Sequence, residues 1–400
     1  MDLTSDHPFW FVRNGLMHTY PFISKDEVCD IVVIGAGITG AMVAQRLAEK
    51  GFSIIVVDRR DVGTGSTAAS TALLQYEIDL PLVKMATVIG RDNAIRAYRA
   101  SHDSIDQITD LVQRLKLDCD FQRKTSIYFA SDRAQAKMLA KEARFRREIG
   151  LDIHYHNQKS LRDTFGLEGI AALSSKQAAS CDGYRMCHAL LQNTCSHGGR
   201  VYDRTEIKSY DCTEQGVCLT THRGPVVRAR TAILATGYES TQMLQEKVVD
   251  LGNTYALVSH PLEDVSPWNE NWMMWEAKNP YLYLRMTADR RLLVGGEDDA
   301  FHGTERRDQM IGTKTKIIES KVRKLIPALD WEIEFAWAGT FGTTKDGLAY
   351  IGATPEYPNC VFALGFGGNG ITFSAIAAQL IADSMTGKPT ANADLYRFGR

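Results

Sequence analysis

Residues 29–60 read CDIVVIGAGITGAMVAQRLAEKGFSIIVVDRR, in which apolar runs and a helical pattern alternate. The short apolar run that ends at Ile34 is typical of a strand buried on both faces. Apolar positions then recur with helical spacing from about Ile38 to Lys50, and Gly51 is a typical helix stop. A second apolar run ends at Asp58. The pattern therefore predicts a strand, a helix and a second strand in close succession.

A similar pattern closes the chain. A short apolar run after Cys360 leads into a glycine-rich turn, residues 365–370, and then into a long helical pattern from about Ile371 to Gly387. Between the two ends, residues 231–234 predict another buried strand. The stretches 201–210 and 216–227 upstream of it predict strands of a small antiparallel sheet.

Strict alternation marks residues 280–297, PYLYLRMTADRRLLVGGE, as a hairpin. Side chains alternate between the two faces of a strand, so Tyr281, Tyr283 and Arg285 share one face while Leu282 and Leu284 share the other. If the leucines pack on the core, two aromatic rings and one cation face the opposite side. An exposed strand face with no function is the alternative.

The glycines of the first turn indicate a ligand-binding site. Gly35, Gly37 and Gly40 have the spacing of a dinucleotide-binding turn, in which the glycines allow a tight turn, close approach of a pyrophosphate and close packing of the helix. Asp58 follows Gly37 at the distance where a carboxylate binds a ribose. The motif predicts a bound dinucleotide but does not separate NAD from FAD.

The next segment favours FAD. Ten consecutive residues, 63–72, are glycine, alanine, serine or threonine, directly behind the second strand. Nicotinamide enzymes normally continue here with further strands and helices, whereas small residues and hydroxyls suit a second approach to the pyrophosphate of a long, extended dinucleotide. A Ser/Thr-rich loop without a ligand is the alternative. The second glycine turn places a helix dipole where it can stabilise the flavin C2 carbonyl.

Composition removes several classes of protein. The 400 residues carry a net charge of −2, with 44% hydrophobic and 24% charged residues, so the chain is a typical globular protein with no basic region for nucleic acid. No apolar run approaches the length of a membrane span, and the first residues do not resemble a signal peptide. The eight cysteines and ten histidines show no metal-ligand spacing; His154 and His156 are expected on a surface strand. We expect reduced thiols, no metal and a cytoplasmic location.

The motifs VVIGAGITG, GSTAAS, ILATG, LLVGGE, WAGTFGTTKDGLAYIG and GFGGNGI occur in this order, and together they resemble the D-amino-acid-oxidase family of FAD-dependent oxidoreductases. Glycine oxidase, sarcosine oxidase and gamma-glutamylputrescine oxidase belong to this family. The resemblance spans roughly residues 28–388. It implies an α/β fold in which a Rossmann-like FAD-binding domain of the glutathione-reductase type is joined to a mixed-sheet substrate domain.

The resemblance also implies domain boundaries. Residues 1–27 would form a leader, residues 28–85, 153–248 and 335–400 the FAD-binding domain, and residues 86–152 and 249–334 the substrate domain. The FAD-binding positions that match the family are Gly35, Ala36, Gly37, Ile38, Gly40, Asp58, Arg59, Ser66, Thr67, Ala72, Leu73, Ile207, Thr236, Gly237, Gly367, Gly368, Asn369, Gly370 and Ile371. Sarcosine oxidases attach the flavin through a cysteine before the KDG segment. This chain has no cysteine between Cys218 and Cys360, so noncovalent FAD is expected.

The chain departs from the family at the substrate carboxylate. Amino-acid oxidases of this family bind that carboxylate with an arginine where this chain has Phe341, and glycine oxidase has a second arginine where this chain has Gly368. We therefore expect an aromatic pocket formed by Tyr281, Tyr283 and Phe341, with Trp337 nearby. Aromatic faces attract alkylammonium groups. Arg285 is expected to hold an anionic group remote from the amine.

These observations predict an oxidoreductase that removes a hydride from the carbon bearing an amine, with hydrolysis of the resulting imine. Oxidation of a 2-hydroxy acid or a polyol phosphate is the first alternative, because one fold serves both chemistries. A flavin-binding subunit without turnover is the second. The expected partners are a small amine or amino-acid-like substrate and an electron acceptor, either oxygen or another carrier.

Overall fold

The structure is a computed structural model that describes residues 3–5 and 7–400. The strands in this part of the chain are β1 (Glu27–Ile34), β2 (Ile54–Val57), β3 (Leu73–Gln75), β4 (Gln122–Ala130), β5 (His154–Asn157), β6 (Ala171–Ser180), β7 (Arg200–Tyr202), β8 (Ile207–Thr213), β9 (Gly216–Thr221), β10 (Val226–Leu234), β11 (Asp250–Pro261), β12 (Trp272–Glu276), β13 (Leu282–Met286), β14 (Arg291–Ala300), β15 (Ile333–Thr343), β16 (Tyr350–Ala353) and β17 (Cys360–Leu364).

Helices connect and cover the strands. They are α1 (Phe9–Asn14), α2 (Ile38–Glu49), α3 (Ser66–Ala69), α4 (Leu82–Val88), α5 (Arg91–Leu115), α6 (Arg133–Glu148), α7 (Gln158–Phe165), α8 (Gly183–Ser196), α9 (Thr304–Gln309), α10 (Ile311–Leu325), α11 (Gly370–Met385) and α12 (Ala393–Tyr396), with a 3₁₀ helix at Gly237–Met243.

The first sheet contains the predicted strand-helix-strand unit. Within the described residues its order is β16-β17-β10-β1-β2-β7, and β8 and β9 extend it from β10. Strands β1, β2, β7, β10 and β17 pair in parallel, while β8, β9 and β10 form the small antiparallel sheet that the sequence predicts. All four residues of β2 are buried: Ile54 and Val56 pack in the core under α2 and α8, and Ile55 and Val57 in a second core on the other face. The predicted Rossmann-like arrangement is confirmed.

The second sheet is mixed, as predicted. Its order in the described residues is β15-β11-β14-β13-β12-β4-β6-β3, with β5 paired to β6. The pairing of β4 with β12 is parallel and the other neighbours are antiparallel. The predicted hairpin of residues 280–297 is confirmed as β13 and β14. A separate apolar core lies under this sheet and includes Leu282, Leu284 and Val294.

Strand pairing differs from the predicted domain boundaries. Strands β5 and β6 lie within 153–248, a segment expected in the FAD-binding domain, yet both belong to the second sheet. Strand β15 also belongs to the second sheet although most of it falls within 335–400. Pairing between strands distant in sequence decides these positions, and local pattern does not reveal it. The domain boundaries stay a prediction.

The leader packs against both sheets. Trp10 of α1 is 1% exposed, and its Nε1 donates to the Ser70 carbonyl at 2.6 Å. Thr340 N donates to Leu3 O at 2.8 Å, so the first described residues extend along β15. The leader thereby supports the segment that follows β2.

Candidate active site

A cavity of about 500 Å³ extends between the first glycine turn and the second sheet. Its lining comes from both sheets, since it includes Val57 of β2 and Leu364 of β17 as well as Thr254 of β11 and Tyr283 of β13. An elongated cavity of this kind accommodates an extended ligand that reaches from one sheet to the other.

The first glycine turn has little space for side chains. Gly35 has φ +105°, and a Cβ there would lie 2.4 Å from the Ala235 carbonyl oxygen. A Cβ at Gly40 would lie 1.8 Å from the Gly35 oxygen, so helix α2 can pack this closely only with glycine. Gly37 lines the cavity, and the nearest atom to a Cβ there is Thr67 Oγ1 at 3.1 Å. The turn therefore exposes backbone to the cavity at Gly37.

Hydrogen bonds fix the small-residue segment next to this turn. Thr67 Oγ1 accepts from Ile38 N at 2.9 Å, which leaves the hydroxyl hydrogen able to donate into the cavity. Two indoles bind the carbonyls that follow: Trp337 Nε1 donates to Ala69 O at 2.9 Å and Trp10 Nε1 to Ser70 O. Trp337, which was expected near the aromatic pocket, thus holds this segment in place and does not line the cavity.

Asp58 lies at one end of the cavity. Its Oδ2 accepts from Ala36 N at 2.7 Å and its Oδ1 from Arg60 N at 2.9 Å, and these bonds hold the carboxylate facing the turn. Burial raises the pKa of Asp58, while the two amides act in the opposite direction. Arg59 and Arg60 both contact the Glu239 carboxylate at this end.

The second glycine turn precedes α11 and contains a contact that the sequence did not predict. Gly368 N donates to Asp79 Oδ2 at 2.8 Å, so a carboxylate occupies the space in front of the turn. The Asn369 side chain donates to the Glu77 carbonyl at 2.9 Å. Burial raises the pKa of Asp79 above its ordinary value.

Aromatic side chains line the other end of the cavity: Tyr281, Tyr283, Phe341 and Trp275. The rings of Tyr281 and Tyr283 are 5.8 Å apart, and the Tyr283 hydroxyl lies 3.4 Å from Thr254 Oγ1. Trp275 stacks on Tyr128 with ring centroids 3.6 Å apart. Three of the four predicted substrate residues are thus brought together, and Trp275 joins them.

The prediction that Arg285 faces the substrate is wrong. The residue is 2% exposed and does not line the cavity. Its guanidinium donates to the carbonyls of Thr71 and Cys181, both at 2.8 Å, and to that of Met286 at 3.2 Å. Arg285 shares the strand face of the tyrosines, but it lies beneath the segment after α3, where backbone oxygens take up its donors.

The profile of the FAD dependent oxidoreductase family, DAO, matches residues 30–384. The chain belongs to this family. Gamma-glutamylputrescine oxidoreductase of Escherichia coli is 24% identical over 92% of this chain and 86% of its own length. Glycine oxidase of Geobacillus kaustophilus is 24% identical over 90% of this chain and 94% of its own length.

Solved structures show the same fold. L-proline dehydrogenase from P. horikoshii superposes with a TM-score of 0.78 at 19% identity, over 93% of this chain and 97% of that chain. Glycine oxidase from Geobacillus kaustophilus gives a TM-score of 0.75 at 20% identity, over 91% and 96% of the two chains. The resemblance drawn from the motifs is confirmed, and so is the predicted fold class.

FAD is the cofactor of this family, and the cavity fits it. Hydroxyls and exposed backbone line its middle, a carboxylate lies at one end and aromatic rings at the other. Two buried polar atoms of lining residues, Asn369 Oδ1 and Trp275 Nε1, have no hydrogen-bond partner among the described residues. A ligand that presents both a donor and an acceptor would satisfy them, and an isoalloxazine ring does so.

Nearly all the predicted FAD-binding residues line the cavity. They are Gly35, Gly37, Ile38, Asp58, Arg59, Ser66, Thr67, Ala72, Leu73, Ile207, Thr236, Gly237, Gly367, Gly368, Asn369, Gly370 and Ile371. Ala36 and Gly40 do not: Ala36 acts through its bond to Asp58, and Gly40 through helix packing. The lining also includes residues that no sequence motif marks: Gln75, Asp79, Tyr238, Thr254 and Trp275.

Residues 3–5 and 7–400 show neither a metal site nor a membrane-spanning helix. No group of three or more His, Cys, Asp or Glu side chains in these ranges could hold a metal ion. Over the same ranges, every helix is too short or too polar to cross a membrane. His154 and His156 lie on β5, where His156 contacts the hydroxyls of Ser160 and Ser174.

Proposed function

We propose that the protein oxidises the C–N bond of a small amine or amino-acid-like molecule, with FAD as the hydride acceptor. One observation carries the proposal: among the described lining residues, Arg59 and Arg60 are the only cations, and both lie at the Asp58 end. Within residues 3–5 and 7–400, the aromatic end is lined by the Asp79 carboxylate and by no cation. Such an end suits a molecule with a positively charged or neutral nitrogen.

The same observation disfavours the alternative substrates. A 2-hydroxy acid carries a carboxylate and a polyol phosphate a phosphate, and both need positively charged donors for tight binding. At the aromatic end such a group would meet the carboxylate of Asp79. The names of the relatives, gamma-glutamylputrescine oxidoreductase, glycine oxidase and L-proline dehydrogenase, also support oxidation of a nitrogen compound.

The chain's own residues bind and orient the substrate. Bound FAD supplies the hydride acceptor. Tyr281, Tyr283 and Phe341 line the aromatic end, where they would exclude water and orient the reacting carbon towards the hydride acceptor. Hydride loss needs the lone pair of the neutral amine, so a substrate that binds as an ammonium ion first gives up one proton, to water or to a nearby carboxylate.

Anaerobic mixing tests the proposal. The FAD-loaded protein is mixed in turn with amines, amino acids, 2-hydroxy acids and glycerol phosphate, and bleaching of the flavin absorbance is followed. We expect bleaching by at least one amine or amino acid. Bleaching by hydroxy acids or glycerol phosphate alone would replace the proposal with C–O oxidation. No bleaching by any compound would favour a subunit without turnover.

Three further parts of the prediction stay proposals. We propose noncovalent FAD, because no cysteine or histidine is found among the described lining residues; acid precipitation should then release the flavin from the pellet. The electron acceptor is oxygen or another carrier, and reoxidation of the bleached flavin by air or by an artificial carrier separates the two. A cytoplasmic location also remains a prediction.

A further inference from the structure

We propose that Asp79 binds the positively charged amino group of the substrate, which assigns the site to alkylammonium compounds that need no carboxylate beside the nitrogen. The inference rests on the proposed function, because it concerns the same cavity. The sequence predicted Arg285 as the charged contact of the substrate. The proposal gives that role to Asp79, which has the opposite charge.

The second glycine turn leaves space for the Asp79 carboxylate beside its backbone. A Cβ at Gly367 would lie 2.6 Å from Asp79 Oδ2, and a Cβ at Gly368 would lie 2.9 Å from Oδ1. Gly367 also has φ +56°, a conformation that favours glycine. Any other residue at either position would push the carboxylate away. These two glycines therefore allow Asp79 to accept the hydrogen bond from Gly368 N.

The carboxylate is left without a positive partner. The Asp79 side chain is exposed to the cavity, and no salt bridge to it occurs within residues 3–5 and 7–400. Two buried carboxylates elsewhere in the described residues do have cationic partners, Glu77 with Arg146 and Asp346 with Arg400. Ligands that fill the cavity take water away from this carboxylate, and a charge with neither water nor a partner is costly. A cationic ligand supplies the missing partner.

The neighbours of Asp79 add to this negative environment. Burial raises the pKa of the Tyr281 and Tyr283 phenols, and the charge of Asp79, which lines the same cavity, acts in the same direction. Behind Tyr281 lies Asp298, whose Oδ1 is buried without a hydrogen-bond partner among the described residues. Aromatic faces and carboxylates both attract an ammonium group. Asp79 and the two phenols thus line the cavity together, while Asp298 lies behind Tyr281 and outside the described lining.

Calorimetric titration of the FAD-loaded protein with butylammonium chloride tests the proposal. Asp79→Asn keeps an oxygen that can accept from Gly368 N but removes the charge. We expect the variant to bind butylammonium about 10- to 100-fold more weakly than the wild type, the loss of one charged hydrogen bond. The flavin spectrum and the dissociation constant of FAD should stay as in the wild type. Asp103→Asn, with a side chain 69% exposed, is the matched control and should bind normally.

Several outcomes would overturn the proposal. Equal butylammonium affinity of wild type and Asp79→Asn, no binding by the wild type, or tighter binding of butyrate than of butylammonium would each do so. A loss of FAD affinity with unchanged butylammonium binding would assign Asp79 to the cofactor. The proposed function fails separately: bleaching of the flavin by amino acids, equally in wild type and variant, would refute the role of Asp79 and leave C–N oxidation standing.

Discussion

Tyr283 lies directly across the hairpin from Gly295, and a Cβ at Gly295 would be only 2.3 Å from the Cζ and hydroxyl oxygen of the phenol. The adjacent Gly296 has φ +137°, and a Cβ there would lie 2.0 Å from the Tyr281 carbonyl oxygen. Because Gly295 and Gly296 have no side chains, Tyr281 and Tyr283 can pack closely against β14 and line the cavity.

Gly295→Ala should displace the Tyr283 ring from the aromatic end of the cavity. Because small displacements at a reacting centre are costly, we expect kcat/KM for the best amine to fall by up to about 100-fold. FAD content should remain normal, since Gly295 does not line the cavity. Gly312→Ala is the control: nothing lies within 4 Å of a Cβ at that exposed helical position. Unchanged kinetics in Gly295→Ala would show that the Tyr283 position is unimportant.

Asp58→Ala should weaken FAD binding. Loss of one charged acceptor costs about 1.5 to 3 kcal/mol, which corresponds to an FAD dissociation constant roughly 10- to 100-fold higher. The variant also leaves the amides of Ala36 and Arg60 without their acceptor, so the free energy of unfolding of the apoprotein should fall as well. Asp61→Ala, outside the cavity, should bind FAD normally. An unchanged FAD dissociation constant in Asp58→Ala would remove Asp58 from the ribose site.

Sequence reasoning succeeded where function depends on neighbours along the chain. The spacing of Gly35, Gly37 and Gly40 determines a local turn, and the structure shows why Gly35 and Gly40 tolerate no side chain. The same holds for the turn before α11 and for the alternation of β13. Each of these features is set by backbone conformation over a few residues, which the order of residue types reveals.

It failed where position depends on distant segments. Alternation correctly predicts that Arg285 shares a strand face with Tyr281 and Tyr283, but it does not predict what that face contacts at each position. Arg285 lies two residues beyond Tyr283, roughly 7 Å along the strand. There the face meets the backbone of Thr71 and Cys181. Asp79 follows the short strand β3 in a loop without periodicity, and only its contact with Gly368, 289 positions later, brings it into the site.

Arg285→Met should therefore affect stability and not substrate affinity. The change leaves buried carbonyls of Thr71 and Cys181 without donors, and each such group costs about 1 to 3 kcal/mol. We expect a lower free energy of unfolding, with KM for the best amine unchanged in the folded fraction. Arg285→Lys, which keeps a donor and the charge, should lose less stability. Normal stability with a raised KM would restore Arg285 as a substrate contact.

Asp298 should give the protein a pH-dependent stability. Burial raises the pKa of this carboxyl to about 6, and the charge of Asp79 acts in the same direction. Below about pH 4 the folded and unfolded chains both keep the proton. As pH rises towards 6 the unfolded chain loses it first, so the contribution of Asp298 to the free energy of unfolding falls until both states are ionised. One pKa unit is worth about 1.4 kcal/mol.

Urea unfolding of wild type and Asp298→Asn at pH values from 4 to 7 measures this contribution, because other carboxylates cancel in the difference. We expect the wild type to lose stability relative to Asp298→Asn as pH rises through this window. Asp79→Asn removes one of the neighbouring negative charges, so in that background the loss should be complete at a lower pH. A difference that is flat from pH 4 to 7 would show that Asp298 titrates normally, and an unshifted curve in Asp79→Asn would mean that the two carboxylates do not interact.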